Sequence, residues 1–156
     1  MKSMLAIASG ICMFAATLAW ADVDKGLRFE AAGGAPVSLD QWRGQKLLVL
    51  FWRPDCSPCL TEARILPTIA RQFADLPIAL VSLQDVQDTR AHLPVMPRNV
   101  HVLIARDDGQ KVLAAFGNDR TLALPYSVML NMQGTVCDRH YGIISPQKIS
   151  SWRRQC

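Results

Sequence analysis

Six consecutive apolar residues, Leu47-Leu48-Val49-Leu50-Phe51-Trp52, lead within four positions to Cys56-Ser57-Pro58-Cys59, and this junction constrains the fold more than any other stretch. A strand-length run with no polar alternation is covered on both faces, which places it at the centre of a sheet between helices. Beyond it, Cys59, Ala63, Leu66, Ala70 and Phe73 recur at steps of four and three, with Ile65 and Ile69 widening the stripe. That spacing is the buried face of an amphipathic helix from about Ser57 to Phe73, in which Pro67 removes a backbone bond and bends the axis. A cysteine pair at a strand-to-helix junction sets its first sulfur near the helix N-terminus, where free amides and the helix dipole favour the thiolate.

The start of the chain is of a different kind. Lys2 is followed by an apolar run from Met4 to Leu18 and then by Ala19-Trp20-Ala21, the small-residue pattern of a signal-peptidase site. We expect a signal peptide over residues 1–21 and a domain over residues 22–156. The alternative is an uncleaved anchor, since the run is only slightly shorter than the roughly 17 to 25 residues of a spanning helix. In either case the positive-inside bias keeps Lys2 inside and exports the domain, giving a periplasmic location, anchored at the inner membrane if cleavage does not occur. Ile11 precedes Cys12 where a lipoprotein signal carries a small residue, which argues against lipidation. Without this segment the formal charge falls from +4 to +3, since Lys2 is its one charged residue. So mild a charge, with no basic cluster interleaved with aromatics, gives no reason to expect a nucleic-acid partner.

At 156 residues the chain is one domain's worth of protein. Residues 22–35 are polar and glycine-rich, with a tight turn at Gly33-Gly34, and read as a loosely ordered approach. Val37-Ser38-Leu39 adds a short edge strand, and Asp40 to Gly44 a single helical turn. Pro77 to Leu83 is a second core strand, parallel to the first because a helix separates them. Asp85 to Leu93 reads as a short helix, Asn99 to Ile104 as a third strand, Asp107-Asp108-Gly109 as a turn, and Lys111 to Phe116 as helix stopped by Gly117. Tyr126–Asn131 and Thr135–His140 flank Gln133-Gly134 as an antiparallel hairpin. Ser145 and Pro146 cap and open a last helix reaching about Arg154.

The order strand, Cys-x-x-Cys, helix, strand, helix, hairpin, helix resembles the thioredoxin fold, and four stretches resemble the TlpA/ResA group of exported thioredoxin-like proteins. These are Pro36-Val37-Ser38-Leu39 with Trp42-Arg43-Gly44, Phe51-Trp52 leading to Cys56-Ser57-Pro58-Cys59, Phe116-Gly117 followed by Leu124-Pro125, and Leu130-Asn131-Met132-Gln133-Gly134. Together they span Ala35 to Trp152. The resemblance implies an α/β fold, a thioredoxin-like central mixed sheet flanked by helices and preceded by a signal sequence. It also implies that Pro125 is cis and lies beside the cysteine pair, where the adjacent backbone pairs with an extended substrate. An ordinary turn proline is the alternative. Leu124, with Trp52, Ser57 and Pro58, completes the expected substrate surface.

The departures from the family pattern bear on the chemistry. Asp55 stands where an aromatic residue is usual, and its carboxylate opposes the thiolate, an effect weakened by exposure, salt and nearby Arg53. Leu50 occupies the place of the buried acid of classical thioredoxins. Glu62, one turn beyond Cys59, matches a glutamate of ResA-like members and is the substitute proton acceptor; an exposed first-turn glutamate is the alternative.

The expected reaction is thiol–disulfide exchange, with Cys56 as nucleophile, Cys59 as resolving thiol, and Glu62 and Pro125 as supporting groups. A permanent disulfide or a zinc ligand pair is the other reading of the motif. Leu60 after Cys59 excludes haem attachment. By resemblance, the substrate is a protein disulfide or dithiol, the haem-binding cysteines of apocytochrome c or the cysteines of a copper-delivery protein, reduced by a monomer that a membrane-bound electron donor recharges. The spacer Ser57-Pro58 carries no cation, which favours a reductant over an oxidant of the DsbA kind. A copper or zinc chaperone using the same sulfurs is the rival from another class. His92, His101 and His140 are scattered without ligand spacing, so no metal site and no cofactor are expected. Cys137 and Cys156 form the second pair of an even set. About four strand residues at roughly 3.3 Å lead away from Cys137, and about ten helical residues at roughly 1.5 Å lead back, so a structural disulfide is expected, with two unrelated thiols as the alternative.

Overall fold

The structure, a computed structural model, describes residues 24, 26–118 and 123–156; the expected signal segment over residues 1–21 lies outside them. The apolar run forms β3 (Leu47–Trp52), buried at every position. It lies between β4 (Ile78–Ser82), parallel with Leu48 opposite Ile78, and β6 (Tyr126–Leu130), antiparallel with Phe51 opposite Tyr126. β5 (Val100–Ala105) runs parallel to β4, and β7 (Val136–Tyr141) returns from β6 in a hairpin with an irregularity at Met129/Leu130. With β1 (Phe29–Ala31) and β2 (Pro36–Val37), the sheet order is β2-β1-β5-β4-β3-β6-β7.

The unbroken apolarity of β3 follows from its place. Leu48, Leu50 and Trp52 face one cluster with Cys59, Leu66, Ile69, Ala70, Ile149 and Trp152, drawn from α1 (Ser57–Gln72) and α4 (Pro146–Gln155). Leu47, Val49 and Phe51 face the other, with Val112, Leu113 and Phe116 at α3 (Gly109–Ala115) and with Leu39 and Trp42 of the 3-10 turn Leu39–Trp42. Period-two alternation therefore serves two cores instead of one core and solvent. His101 packs against Trp42 with tilted rings, 4.9 Å between centroids, and burial lowers its pKa.

Two expectations are corrected. The approach over residues 22–35 is not loosely ordered throughout, because Phe29–Ala31 pairs antiparallel with both β2 and β5. Asp107-Asp108-Gly109 is not a free turn: Asp108 caps α3, accepting from the amides of Gln110 at 3.0 Å and Lys111 at 3.1 Å, so the helix starts at Gly109. α1 runs through Pro67, which is buried, and continues to Gln72. Asn99 then closes the end of α1, its Nδ2 lying 3.0 to 3.1 Å from the carbonyls of Ala70, Phe73 and Leu76.

The short helix α2 (Val86–His92) is capped by Asp85, and α4 by Ser145. α4 is fastened to β7 through Lys148, Trp152 and Cys156. Trp152 Nε1 donates to Asp138 Oδ2 at 2.5 Å, and Cys137 and Cys156 are bonded, with Cα atoms 5.7 Å apart. Among the described residues no helix is long and apolar enough to cross a membrane.

Candidate active site

Cys56 is the N-cap of α1 and Cys59 lies in its first turn, the two joined as a disulfide with Cα atoms 5.2 Å apart. Their environments differ. Cys56 is half-buried, whereas Cys59 is wholly enclosed at 0% exposure by the cluster around Leu50, Trp52 and Leu66. The amide of Cys59 donates to Cys56 Sγ at 3.3 Å, so one of the free N–H groups of the helix end already points at the outer sulfur. Pro58 sits where its missing N–H costs the helix nothing, and with Ser57 it is exposed.

Arg53 grips Asp55 through two bonds, Nε to Oδ1 at 2.9 Å and Nη2 to Oδ2 at 2.7 Å. The guanidinium holds the Asp55 carboxyl below its ordinary range. Charge beside Cys56 is thus largely cancelled within the loop, leaving the helix terminus as the principal local support for a thiolate. A groove lined by Pro54, Asp55, Gln84, Asp88 and His92 opens on the α2 side of this loop.

Glu62 is buried, at 1% exposure, which rules out the surface-glutamate alternative. Its position three after Cys59 puts both on the inward stripe of α1. Burial pushes its carboxyl up from 4.5 to about 7, opposed by the Ile144 amide, which donates to Oε1 at 2.8 Å and favours the charged form. Leu50, fully buried, supplies no acid. Opposite Leu50, Ser127 is also buried, and its Oγ has no hydrogen-bond partner among the described residues.

The Leu124–Pro125 peptide is cis. Tyr126 pairs with Phe51, so Pro125 and Leu124 leave β6 alongside Trp52 and the loop to Cys56. The Pro125 carbonyl accepts from Gly142 N at 2.8 Å, and Leu124 packs against both clusters, one of which contains Cys56 and Cys59. Trp52 needs a correction: expected at the substrate surface, it is 0% exposed and packs beneath the cysteines, out of reach of a docked chain. The second cystine joins Cys137 of β7 to Cys156 at the C-terminal end of α4. Ile144 was missed by sequence reasoning, because an apolar residue contributing its amide leaves no side-chain signal. Among the described residues no three of His, Cys, Asp and Glu group as a metal site.

A mixed sheet of this order, with a cystine at the head of the helix that follows its central strand, defines a thioredoxin-like thiol–disulfide oxidoreductase. The Redoxin family model matches residues 21–154, and the chain belongs to that family. Among solved structures, a secreted Mycobacterium tuberculosis disulfide oxidoreductase homologous to E. coli DsbE is similar at 19% identity and TM-score 0.67, over 87% of this chain and 100% of that one. StoA from Bacillus subtilis is similar at 18% and 0.60, over 81% and 94% of the two chains. The exposed lipoprotein thioredoxin of Streptococcus pneumoniae is similar at 19% and 0.65, over 81% and 97%. At these identities the likeness carries the fold. No curated protein matches the sequence.

Proposed function

We propose that the chain is exported to the periplasm and works there as a monomeric disulfide reductant. Its substrates in this reading are the oxidised haem-binding cysteines of apocytochrome c or the cysteines of a copper-delivery protein, and a membrane-bound electron donor recharges it. The observation that carries the reading is the asymmetry of the pair: a half-buried Cys56 at a helix N-cap, above an enclosed Cys59 with buried Glu62 one turn on. The apolar segment before residue 22 supports export, as does the likeness to a secreted oxidoreductase and an exposed lipoprotein.

In the reduced protein the Cys56 thiolate attacks one sulfur of the substrate disulfide. That bond breaks, the electron pair leaves with the other substrate sulfur, and a mixed disulfide joins the two chains. Cys59 gives its proton to Glu62, whose carboxyl at about 7 is poised to accept one near neutral pH, and attacks Cys56 Sγ. The second substrate sulfur leaves as a thiolate. The substrate has gained two electrons, and the protein holds the Cys56–Cys59 disulfide. Ser57, Pro58, Leu124 and Pro125 form the docking ground. Among the described residues nothing hydrogen-bonds the N–H or C=O of Leu124, which leaves that edge available for strand-like pairing.

The direction of electron flow rests on the weak support for the thiolate. Arg53 is held by Asp55 and the spacer carries no cation. Strong stabilisation of the reduced form is what makes an oxidant. Equilibration of the Cys56–Cys59 couple in dithiol redox buffers tests this: a potential near that of thioredoxin, about −270 mV, is expected, and one near DsbA, about −120 mV, would reverse the direction.

A further inference from the structure

The segment that delivers Leu124 to the cysteine pair is held by an unusual clasp. Three consecutive residues after α3 are each fastened to the β6–β7 hairpin by a different side chain. Tyr126 Oη donates to the Phe116 carbonyl at 2.8 Å, Arg139 Nη1 to the Gly117 carbonyl at 2.8 Å, and Tyr141 Oη to Asn118 Oδ1 at 3.2 Å. The fit is close: Gly117 has φ +81°, and a Cβ there would meet Arg139 Nη1 at 2.7 Å. Asn118 is 3% exposed, and its own amide donates to Leu113 O at 2.9 Å. Its side chain passes the connection on, Nδ2 donating to the Ala123 carbonyl at 3.2 Å. A carbonyl can only accept, so the amide's orientation follows: nitrogen to Ala123, oxygen to the Tyr141 hydroxyl. Ala123 is the residue immediately before Leu124.

We infer that Asn118 is a positioning residue for substrate docking: bridging Tyr141 to the Ala123 carbonyl, it fixes the Leu124 main chain that a substrate segment pairs with beside Cys56. The inference rests on the docking edge proposed above and adds the group that sets its place. A polar amide buried at this point needs hydrogen bonds to offset its desolvation, and those with Tyr141 and the Ala123 carbonyl are among them. Neither Asn118 nor Tyr141 takes part in exchanging sulfur bonds. Their effect falls on recognition of extended substrates, while a small disulfide that needs no edge is indifferent to them.

The test compares reduction of a ten-residue peptide containing one intramolecular disulfide with reduction of 5,5′-dithiobis(2-nitrobenzoate), both by the full reduced protein. In Asn118→Ala the ratio of kcat/KM for peptide over small disulfide is expected to fall about five-fold, the worth of one hydrogen bond, with the loss in KM. Asn118→Asp, nearly the same shape, keeps an acceptor for Tyr141 but sets a carboxylate against the Ala123 carbonyl, and is expected to lower the ratio as much. Should Asn118→Ala fail to fold, Tyr141→Phe carries the test and is expected to lower the ratio in the same direction. Leu124→Ser is the control for the docking edge. If it lowers the ratio and the Asn118 variants do not, the clasp inference is overturned and the docking edge stands. If neither position moves the ratio, docking along Leu124 fails and the clasp with it. Equal loss on both substrates in the Asn118 variants would make Asn118 merely structural and also overturn the inference.

Discussion

Glu62 gives the molecule a pH dependence opposite in sign to that of a salt-bridged carboxylate. It is 1% exposed, and its carboxyl is pushed up from 4.5 to about 7, whereas in the unfolded chain it titrates at its ordinary value. Between pH 4.5 and 7 the folded protein therefore keeps a proton that the unfolded chain has released, so stability falls as pH rises through that window. Below the window the cost is absent, and above it the cost is complete. At about 1.4 kcal/mol per pH unit, the displacement comes to about 3 kcal/mol. Asp55, Asp107 and Asp138 have carboxyls held below their ordinary range and act at lower pH. His101, whose pKa burial lowers from 6.5, titrates within the window with the opposite sign and does so equally in a Glu62 variant, so the difference between parent and variant isolates Glu62. In Glu62→Gln the amide oxygen can still accept from Ile144, while the titration is gone. Urea unfolding of the oxidised protein, followed by tryptophan fluorescence at pH 4.5, 6 and 8, reads both proteins. Relative to Glu62→Gln, the parent is expected to lose about 3 kcal/mol across the series. Equal slopes in the two proteins would refute the reasoning. In turnover the same variant is expected to slow resolution of the mixed disulfide by about 10²-fold near neutral pH, the lower range for losing a positioned base.

Replacing both Cys137 and Cys156 by serine is expected to cost about 3 kcal/mol in urea unfolding, and an unchanged midpoint would deny the bond a stabilising role. In the mature, non-reduced Cys56→Ser/Cys59→Ser protein, a thiol reagent is expected to find no free thiol; two would contradict the Cys137–Cys156 link. Asp55→Asn removes an anion beside Cys56 and releases Arg53, so alkylation of the reduced protein at neutral pH is expected to speed up about two- to three-fold at low salt and less at high salt. Slower alkylation would mean that Arg53 does not act on the sulfur. Gly117→Ala places a side chain in the left-handed region against Arg139, and is expected to cost about 1–2 kcal/mol in stability.

Most of the sheet was legible because its strands are long, apolar and separated by recognisable punctuation. β3 needed no partner to be identified, and the six-residue run also told that both of its faces are covered. β1 was not legible for the opposite reason: Phe29-Glu30-Ala31 is short, lies in polar and glycine-rich surroundings, and owes its conformation to pairing with nearby Val37 and with Ala105, remote in the chain. The site divides in the same way. Cys56, Cys59 and the place of Pro125 follow from local order, but the state of Glu62 depends on which neighbours close over it. One turn beyond the start of a helix, glutamate suits solvent as well as a pocket. Its spacing from Cys59 and Ala63 on the inward stripe was the available signal, and Ile144, 82 positions away, decided the outcome. Trp52 was misplaced because alternation along β3 puts it under the cysteines, whereas its nearness in sequence had favoured the surface. Asn118 and Tyr141 gave no signal at all, since their meaning lies in a bond between segments that only the hairpin brings together.

The central claim is that Cys56 forms a covalent intermediate with a protein substrate outside the cytoplasm and that Cys59 resolves it. Mixed-disulfide trapping with Cys59→Ser, expressed as the full chain in the exporting cell, tests it most directly. The expected result is a set of adducts in the exported fraction that dithiothreitol releases and that are missing in Cys56→Ser/Cys59→Ser, with an apocytochrome c or a copper-delivery protein among them. The absence of any Cys56-dependent adduct would contradict the exchange mechanism.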